Sequence, residues 1–399
     1  MNRKNRMTVV LGLQYLFWYL ISIPVTWFVR VRREGVIIGS NRGDGLSGNA
    51  RHLFERWSKE GVFEVWAVLS NKKIYKQLSI QYDHVLFAFS WKAVKIAAQA
   101  RFFILTHGRL DVPFSDFSKI IIQTWHGIPF KAIGFYRNRN IKDKIRNILY
   151  KWFDYDPVDY FLSSSAYVTK LYKGVFHQAS DKFLEIGFPR NDLFFERHKS
   201  ESSLNGIFKE RGLSFKKVIL YAPTFRTYPS DYFPFADRLE KSPALIELLQ
   251  RTDAVCLVKS HVNQPYKLDH LLERSGRVID ISNSEWIPDL QKILPETNIL
   301  ITDYSSISID ALLLDLPCIF ITSDIEDYVK ATGEFCCDYN SLAAGAHVKT
   351  MADMIYELAE LIGGNDRFRK ERSSARELFF TPSSQTSTER LTSFMQKIV

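Results

Sequence analysis

Histidine and basic residues recur at positions where a buried strand should end. The apolar run 120–122 is followed by the stretch QTWHGIPFK, which places His126 just beyond a strand. In an open α/β sheet, ligands bind in the loops at the carboxyl ends of the strands. A histidine in such a loop can act as an acid or a base near neutral pH. The alternative is a histidine that hydrogen-bonds within a tight turn, and this stretch alone leaves both interpretations open.

Three stretches in the second half of the chain also place polar residues directly after apolar runs. YAPTFR ends on Arg226, whose planar guanidinium suits bidentate binding of an oxyanion. LVKSH brings Lys259 and His261 to the tip of a strand. ITDYSS leads into Ser305 and Ser306, which are expected to cap a helix whose free N–H groups can bind phosphate. Each stretch alone also fits a structural role, as a surface loop or a well-capped helix.

Taken together, the four stretches favour a transferase. Two histidines, an arginine, a lysine and a helix N-terminus all fall on predicted strand-to-helix loops of two adjoining domains. Such loops can hold an anionic donor in one domain and an acceptor in the other. Asp154 and Asp156 lie beside a predicted amphipathic helix, where a structural role is expected, so the sequence predicts no metal site.

The length and composition indicate a folded protein of two domains. The chain has 399 residues, of which 46% are hydrophobic and 24% charged, and this length exceeds one ordinary core. Its net charge of +9 favours an anionic partner such as a nucleotide or a phospholipid surface. No signature of a nucleic-acid-binding module accompanies this charge, so nucleic acid is not an expected partner. The cysteines lack metal-ligand spacing and indicate a reducing, cytoplasmic compartment; they are Cys256, Cys318, Cys336 and Cys337.

Short apolar runs alternate with helical stretches along the chain, which is typical of parallel sheets covered by helices. The first series of predicted strands comprises residues 35–39, 63–69, 98–106, 119–124, 159–162 and 183–188. The second series comprises residues 218–222, 254–259, 277–280, 299–302 and 318–321. We therefore predict an α/β protein with two doubly wound domains in tandem, a cleft between them, and the polar stretch 199–217 as their junction.

The N-terminus is predicted to meet a membrane. Residues 8–29 carry no charge over 22 positions and are flanked by basic residues on both sides. That length permits one transmembrane span. Gln14, Pro24 and the similar positive charge at both ends equally permit a helix that lies in the membrane interface. A buried core helix of a soluble protein is the remaining alternative.

The stretch 137–153 is a second candidate membrane element. Apolar residues recur in it at helical spacing, and basic residues surround them with Asp143 as the counter-charge. A basic amphipathic helix is typical of a membrane-surface element, although an ordinary surface helix that covers a sheet fits the same pattern. Combined with the N-terminus, it predicts attachment to an anionic surface on the cytoplasmic side of the cell membrane.

The order of these motifs resembles a known family. TWHGIPFK, YFLSSS, IGFPRND, YAPTFR, VKSH and ITDYSS follow one another as in the CDP-glycerol glycerophosphotransferases, which include teichoic-acid primases and polymerases and relatives that build capsular polymers. The resemblance implies a GT-B type fold, in which two Rossmann-like domains face a cleft, and chemistry without a metal ion or cofactor. The resulting prediction is a membrane-associating segment at 1–34, an N-terminal acceptor domain at 35–205, a C-terminal CDP-donor domain at 206–380 and a C-terminal helix at 381–399.

The resemblance also implies roles for individual residues. His126 matches the general base of the family, and His261 matches the histidine that contacts the donor diphosphate. Ser305 and Ser306, with the amides of their helix, match the diphosphate cradle. The remaining predicted substrate-binding positions are Gly127, Pro129, Thr224, Arg226, Lys259, Thr302, Asp303, Asp310 and Glu326.

Two positions depart from the family pattern. The family often has His-Pro where this chain has His261-Val262, which implies a differently shaped loop. Where the family often has Tyr-Asp-x-Glu, this chain has Ser323 in place of the tyrosine, and Glu326 remains the candidate for binding the polyol hydroxyls.

The predicted reaction transfers glycerol phosphate from CDP-glycerol to a hydroxyl of a lipid-linked saccharide or polyol-phosphate acceptor and releases CMP. It would serve the synthesis of a teichoic-acid or capsule-type polymer. Two enzymatic alternatives remain open, a CDP-ribitol ribitolphosphotransferase and a GT-B glycosyltransferase that uses a nucleotide sugar. A non-catalytic membrane scaffold is a third, and the presence of both His126 and His261 argues against it.

Overall fold

Two parallel sheets organise the chain, each within its own compact unit. The computed structural model describes residues 3–137, 140–195, 204, 208, 214–224, 226, 242–260, 276–282 and 289–398. Unit 1 comprises Met1–His126, Lys142–Asp192 and Ser383–Val399, and unit 2 comprises Gly127–Ile141 and Leu193–Pro382. The chain thus enters unit 2 directly after His126, the candidate base.

The sheet of unit 1 has seven parallel strands. They are β1 (Gly35–Gly39), β2 (Glu64–Leu69), β3 (Val85–Phe87), β4 (Phe102–Leu105), β5 (Ile120–Gln123), β6 (Tyr160–Ser163) and β7 (Phe183–Glu185). Their order is β3-β2-β1-β4-β5-β6-β7. β1 and β4 are apolar and buried throughout, as expected for parallel strands with helices on both faces. The strand order changes direction between β1 and β4: β2 and β3 follow on one side of this point, and β5 to β7 follow on the other. Ligands bind at such switch points.

Six helices lie in the described part of the chain before the second segment of unit 2, which begins at Leu193. They are α1 (Arg3–Phe28), α2 (Gly48–Glu60), α3 (Lys72–Gln81), α4 (Trp91–Gln99), α5 (Ile141–Tyr150) and α6 (Ala166–Phe176). Serine side chains begin two of them, because Ser90 accepts from the Ala93 amide and Ser165 from the Val168 amide. α5 continues as a π-helical turn over Lys151–Tyr155.

The sheet of unit 2 has six parallel strands in the order β10-β9-β8-β11-β12-β13. These are β8 (Lys217–Tyr221), β9 (Ala254–Val258), β10 (Val278–Asp280), β11 (Ile299–Thr302), β12 (Cys318–Ile321) and β13 (Ala346–Val348). The helices within its described ranges are α7 (Pro243–Arg251), α8 (Ile307–Ala311), α9 (Ile325–Thr332), α10 (Tyr339–Leu342), α11 (Met351–Ile362) and α12 (Arg369–Phe379). The switch point lies between β8 and β11. The last helix, α13 (Ser387–Lys397), belongs to unit 1, where Trp57 Nε1 donates to Thr392 Oγ1 at 2.9 Å.

Helix α1 lies along unit 1 with Tyr15, Ser22 and Thr26 buried, whereas Gln14 is exposed. The Tyr15 hydroxyl donates to the Arg42 carbonyl at 2.8 Å, and the Ser115 amide donates to Ser22 Oγ at 2.7 Å. Its segment Leu11–Phe28 is long and apolar enough to cross a membrane by length and composition. The opposite face is apolar and exposed; its residues are Leu13, Leu16, Phe17, Leu20, Trp27 and Phe28.

The prediction of an α/β fold with parallel sheets is confirmed, with differences at the element ends. β3 and β13 were not predicted, because each has three residues and a strand this short leaves little periodic pattern. The predicted strand 98–106 shrinks to β4, since residues 98–99 complete α4. The predicted amphipathic helix 137–153 is α5 with its π-helical turn, and residues 138–139 lie outside the described part of the chain.

Candidate active site

A strained turn at the carboxyl end of β5 carries His126. The preceding residue, Trp125, has φ +55°, a left-handed conformation that bulky side chains rarely adopt. Gln123 fixes this turn because its Oε1 accepts the Trp125 amide proton at 3.0 Å. Backbone strain of this kind persists where the surroundings hold it and is common at functional sites.

Two side chains from other elements clamp the same turn. Asn49, in the first turn of α2, donates through Nδ2 to the Thr124 carbonyl at 3.1 Å and to the Trp125 carbonyl at 3.0 Å. Asn49 Oδ1 accepts from the Arg190 amide at 3.1 Å, and Arg190 Nη1 donates to the His126 carbonyl at 2.7 Å. Both clamping side chains are buried. The sequence analysis assigned them no role, although Arg190 lies within the quoted IGFPRND stretch.

The hydrogen bond of the His126 ring defines which nitrogen is the base. Nδ1 lies 3.1 Å from the Thr106 carbonyl oxygen, at the end of β4. A carbonyl oxygen only accepts, so Nδ1 carries a proton and donates it. In the neutral ring the lone pair therefore resides on Nε2. The residue as a whole is exposed to solvent.

A second histidine accompanies the first. The His107 ring stacks on the His126 ring with centroids 4.0 Å apart and planes inclined by 3°. His107 Nδ1 lies 2.7 Å from Thr106 Oγ1. Burial lowers the pKa of His107, an effect that Asp111 opposes and the charge of Arg42 reinforces.

Asp111 fixes the loops after β1 and β4 at the switch point of unit 1. Its buried carboxylate accepts from the backbone amides of Thr106 at 2.7 Å, His107 at 2.8 Å and Arg42 at 2.7 Å. Three backbone donors on one carboxylate hold the two loops in a single arrangement. The base, its stacked neighbour and the loop of Arg42 thus form one rigid group of unit 1.

The polar residues at the strand ends of unit 2 form a buried network centred on Arg226. Its Nη2 lies 2.8 Å from Asp303 Oδ2, and its Nε lies 2.7 Å from Asp324 Oδ2. Its Nη1 donates to the Thr224 carbonyl at 2.8 Å. Although burial alone would lower it, the two carboxylates hold the pKa of Arg226 above its usual range.

Aromatic rings close around this guanidinium. It lies 5.0 Å from the ring centroid of Tyr304 and 5.0 Å from that of Tyr328. Burial raises the pKa of both phenols, and Tyr304 donates its hydroxyl proton to Asp324 at 3.0 Å. Arg226 is 1% exposed. Its donors thus contact two carboxylates and a carbonyl, and the role in donor binding that the sequence predicts for it stays a prediction.

Three other predicted binding residues are also internal. Asp303 is fully buried and accepts the Thr224 amide proton at 2.9 Å, which ties the loop after β8 to the loop after β11. The Thr302 hydroxyl donates to the Ala222 carbonyl at 2.7 Å. Asp310 is buried and accepts from Gln291 Nε2 at 3.1 Å. These three side chains therefore bond to groups inside unit 2 and do not face solvent.

The accessible predicted residues of unit 2 lie around this network. Ser305 and Ser306 are half-buried at the start of α8, a helix of five residues, and the Ser306 side chain makes no capping bond there. Glu326 is exposed in the first turn of α9. Lys259 Nζ donates to the Ile281 and Ser282 carbonyls at 3.3 Å each, and burial lowers its pKa against the opposing carboxylates of Asp280 and Asp289. His261 lies outside the described residues.

The chain after His126 is anchored within unit 2. Gly127 has φ +148°, which favours glycine. The Pro129 carbonyl accepts the Cys336 thiol proton at 3.0 Å, and the Phe130 carbonyl accepts the Cys336 amide proton at 2.8 Å. Gly127 and Pro129 therefore lie where the chain leaves the base and joins a different unit.

The fold and the polar strand ends define a class of protein: an α/β enzyme with two doubly wound parallel sheets and functional loops at the carboxyl ends of both. Within the described ranges, no three histidine, cysteine, aspartate or glutamate side chains are grouped so that they could hold a metal ion.

Comparison with known proteins identifies the family. Residues 21–397 match the model of CDP-glycerol:poly(glycerophosphate) glycerophosphotransferases. The chain belongs to this family, and its activity is that of a glycerophosphotransferase. The resemblance predicted from the motifs is thereby confirmed.

Named relatives cover most of the chain. A teichoic acid glycerol-phosphate transferase from Staphylococcus aureus is 28% identical and spans 86% of each sequence. A teichoic acid poly(glycerol phosphate) polymerase from Bacillus spizizenii is 30% identical over 84% of this chain and 86% of the relative. The solved structure of the wall teichoic acid polymerase TagF superposes with a TM-score of 0.78 at 21% identity, over 99% of this chain and 95% of that one.

Proposed function

We propose that the enzyme transfers glycerol phosphate from CDP-glycerol to a hydroxyl of a membrane lipid-linked saccharide or polyol-phosphate acceptor and releases CMP. Family membership supports the donor and the reaction type. The teichoic-acid relatives support a place in teichoic-acid synthesis or that of a similar surface polymer. Accessibility and a defined tautomer of His126 are the observations that carry the mechanism.

In the proposed step, the acceptor hydroxyl oxygen attacks the phosphorus that bears glycerol. The bond from this phosphorus to the bridging oxygen breaks, and CMP leaves with that oxygen. The hydroxyl proton passes to Nε2 of His126, because Nδ1 is already protonated towards Thr106. A positioned base of this kind contributes roughly 10²–10⁴-fold to a rate.

We assign the donor to unit 2 and the acceptor to unit 1, with the two Rossmann-like units facing a cleft in the GT-B manner that the family resemblance implies. Ser305, Ser306, Lys259 and His261 would bind the diphosphate and neutralise charge on the departing CMP without a metal ion. Arg226 with Asp303 and Asp324 would hold the loops that carry these groups in place.

We further propose that the enzyme lies on the cytoplasmic face of the cell membrane through α1 and α5. The buried face of α5 is polar and its exposed face is apolar. Asp143 and Asn147 are buried, whereas its apolar residues are exposed. The exposed set after Ile141 is Ile145, Ile148, Leu149, Trp152 and Phe153. Exposed apolar surface of this extent, edged by lysine and arginine, suits an anionic lipid interface.

Contacts within unit 1 place the two apolar surfaces close to each other. The Arg109 amide donates to Asp154 in the turn after α5, at 3.1 Å. Arg109 Nη2 donates to the Tyr19 hydroxyl of α1, also at 3.1 Å. Leu110 and Phe117, in the same connecting loop, are exposed as well. These hydrogen bonds favour the interfacial alternative over a transmembrane span, since a helix crossing the bilayer could not make them.

The transfer reaction is tested by CMP release from CDP-glycerol in the presence of a lipid-linked saccharide and EDTA. We expect acceptor-dependent release that His126→Ala abolishes and that the control His84→Ala, just before the edge strand β3, leaves intact. Parallel reactions contain CDP-ribitol and a UDP-sugar. Turnover with one of these but not with CDP-glycerol would replace the proposed donor, and full activity of His126→Ala would remove the proposed base.

The membrane surface is tested by flotation with vesicles that contain an anionic phospholipid. Leu16→Glu combined with Phe17→Glu should release the protein from vesicles, because both side chains are more than half exposed, at 53% and 56%. Ile80→Glu is the matched control, as Ile80 is an exposed apolar residue on α3, outside both surfaces. Alkaline carbonate should extract the wild type from membranes; retention would support a transmembrane helix instead.

A further inference from the structure

The candidate base shares its surroundings with a histidine that has no part in the reaction as proposed. The rings of His107 and His126 are parallel within 3° at 4.0 Å. Thr106 contacts both, since its carbonyl accepts from His126 Nδ1 and its hydroxyl lies 2.7 Å from His107 Nδ1. Rotation of the His126 ring would break the hydrogen bond and the stack together. The Trp125 ring also lies 4.2 Å from the His126 ring, with planes inclined by 33°. The plane of the base is therefore defined by the hydrogen bond, the His107 stack and the Trp125 ring.

Charge repulsion limits the pair to one proton at a time. Two imidazolium rings 4.0 Å apart would repel each other strongly, so the pair takes up its protons in two separate steps. Burial lowers the pKa of His107, so its ring is uncharged near neutral pH. Among the charged groups around the pair, Arg42 and Asp111 act on His107, and Arg190 donates to the His126 carbonyl; Asp154 lies beyond them, where it accepts the Arg109 amide proton.

We propose that His107 is a positioning residue for His126. Its uncharged ring fixes the plane of the base and excludes water from one face of it. The inference rests on the proposed role of His126 as the base. During transfer the proton goes from the acceptor hydroxyl to Nε2 of His126, and His107 neither gains nor loses one. A neutral stacked ring leaves His126 free to become positively charged in that step.

The test compares three substitutions of His107. His107→Phe keeps an aromatic ring and removes the titrating nitrogens. His107→Ala removes both, and His107→Gln keeps a hydrogen-bonding group beside Thr106 without a ring. His84→Ala is the matched control, because His84 also lies against an aromatic ring, that of Trp66 at 4.4 Å with planes inclined by 33°, but just before the edge strand β3 and away from the site. Thermal unfolding of each variant identifies any loss of fold.

We expect His107→Ala and His107→Gln to lower kcat roughly 10- to 100-fold, since a small misplacement of a reacting group has an effect of this size. KM for CDP-glycerol should not change. His107→Phe should keep most of the wild-type kcat. The acid limb of the pH–rate profile should move to higher pH in His107→Ala, because water on the exposed face of His126 stabilises the protonated ring. It should stay in place in His107→Phe and in His84→Ala.

Two results would overturn the inference. Equal loss of activity in His107→Phe and His107→Ala would mean that the nitrogens of His107, rather than its ring plane, are needed. Wild-type kcat and an unshifted acid limb in His107→Ala would mean that the stack has no role. If His107→Ala unfolds, the comparison of His107→Phe with His107→Gln decides the same question. His126→Ala separates the two proposals: transfer retained in that variant contradicts the base itself, whatever His107 does.

Discussion

Replacement of Arg226 by methionine should destabilise unit 2 severely. The side chains of Arg226 and Asp303 are 0% exposed, and that of Asp324 is 8% exposed. Removal of one partner from a buried ion pair costs about 3–5 kcal/mol, because the remaining charge lies in a medium that solvates it poorly. Here two carboxylates lose a shared counter-charge. We therefore expect Arg226→Met to lower the free energy of unfolding by an amount near the upper end, about 5 kcal/mol.

Hydrogen exchange measured by mass spectrometry reports this loss for each unit separately. Amides of β11, which lead directly into Asp303, should exchange on the order of 10³-fold faster in Arg226→Met, since each 1.4 kcal/mol is a factor of about ten. Amides of β4, in unit 1, are the internal reference and should keep their protection. A conservative Arg226→Lys change keeps the charge but not the planar fork, and it should fall between wild type and methionine.

A matched triple variant distinguishes lost pairing from lost packing. Arg226→Met combined with Asp303→Asn and Asp324→Asn removes all three charges, and a buried ionic group replaced as a whole by neutral residues often loses little stability. We expect the triple variant to recover most of the protection of β11. Exchange in Arg226→Met within tenfold of wild type, or a triple variant no better than the single one, would refute the ionic explanation.

Two further predictions concern unit 1. Asn49→Ala should lower the free energy of unfolding by about 1–3 kcal/mol, because two buried carbonyls lose their donor, and should lower kcat through the loosened His126 turn; an unchanged urea midpoint and unchanged kcat would contradict this. Lys119 is buried, and burial lowers the pKa of its ammonium from 10.5 to about 8. Between these two pH values Lys119 is therefore neutral in the folded state and protonated in the unfolded state. Stability relative to Lys119→Met should thus rise by about 3 kcal/mol from pH 7 to 10.5, and urea unfolding at the two pH values that showed no such rise would be the contrary result.

Much of the fold follows from the sequence because parallel strands leave continuous apolar runs. The runs of β5 and β11 are each followed by polar residues, and this sharp change locates both the strand end and the candidate site. The three-residue strands β3 and β13 lack such a run. Their pairing with longer neighbours, β2 and β12, supplies the hydrogen bonds that define them, and sequence alone does not specify which strands are neighbours.

The same limit separates the predicted from the unpredicted site residues. His126 is recognisable because it follows its own strand. Asn49 and His107 reach it only because β4 pairs with both β1 and β5 in the sheet, so loops from distant parts of the sequence converge. Arg226 shows the converse. As a loop arginine it fits phosphate binding, and its burial becomes evident only when the order of β8, β11 and β12 brings Asp303 and Asp324 against it.

Polar residues of α1 connect the proposed membrane surface with the candidate base. Tyr15 donates to the Arg42 carbonyl, and the amide of the same residue donates to Asp111. Asp111 in turn accepts from Thr106, whose carbonyl orients His126. Tyr15, Tyr19 and Ser22 are thus the residues that hold α1 against unit 1. Because loss of α1 would leave the Arg42 loop without one of its supports, the helix is part of the scaffold of the site as well as a proposed membrane anchor.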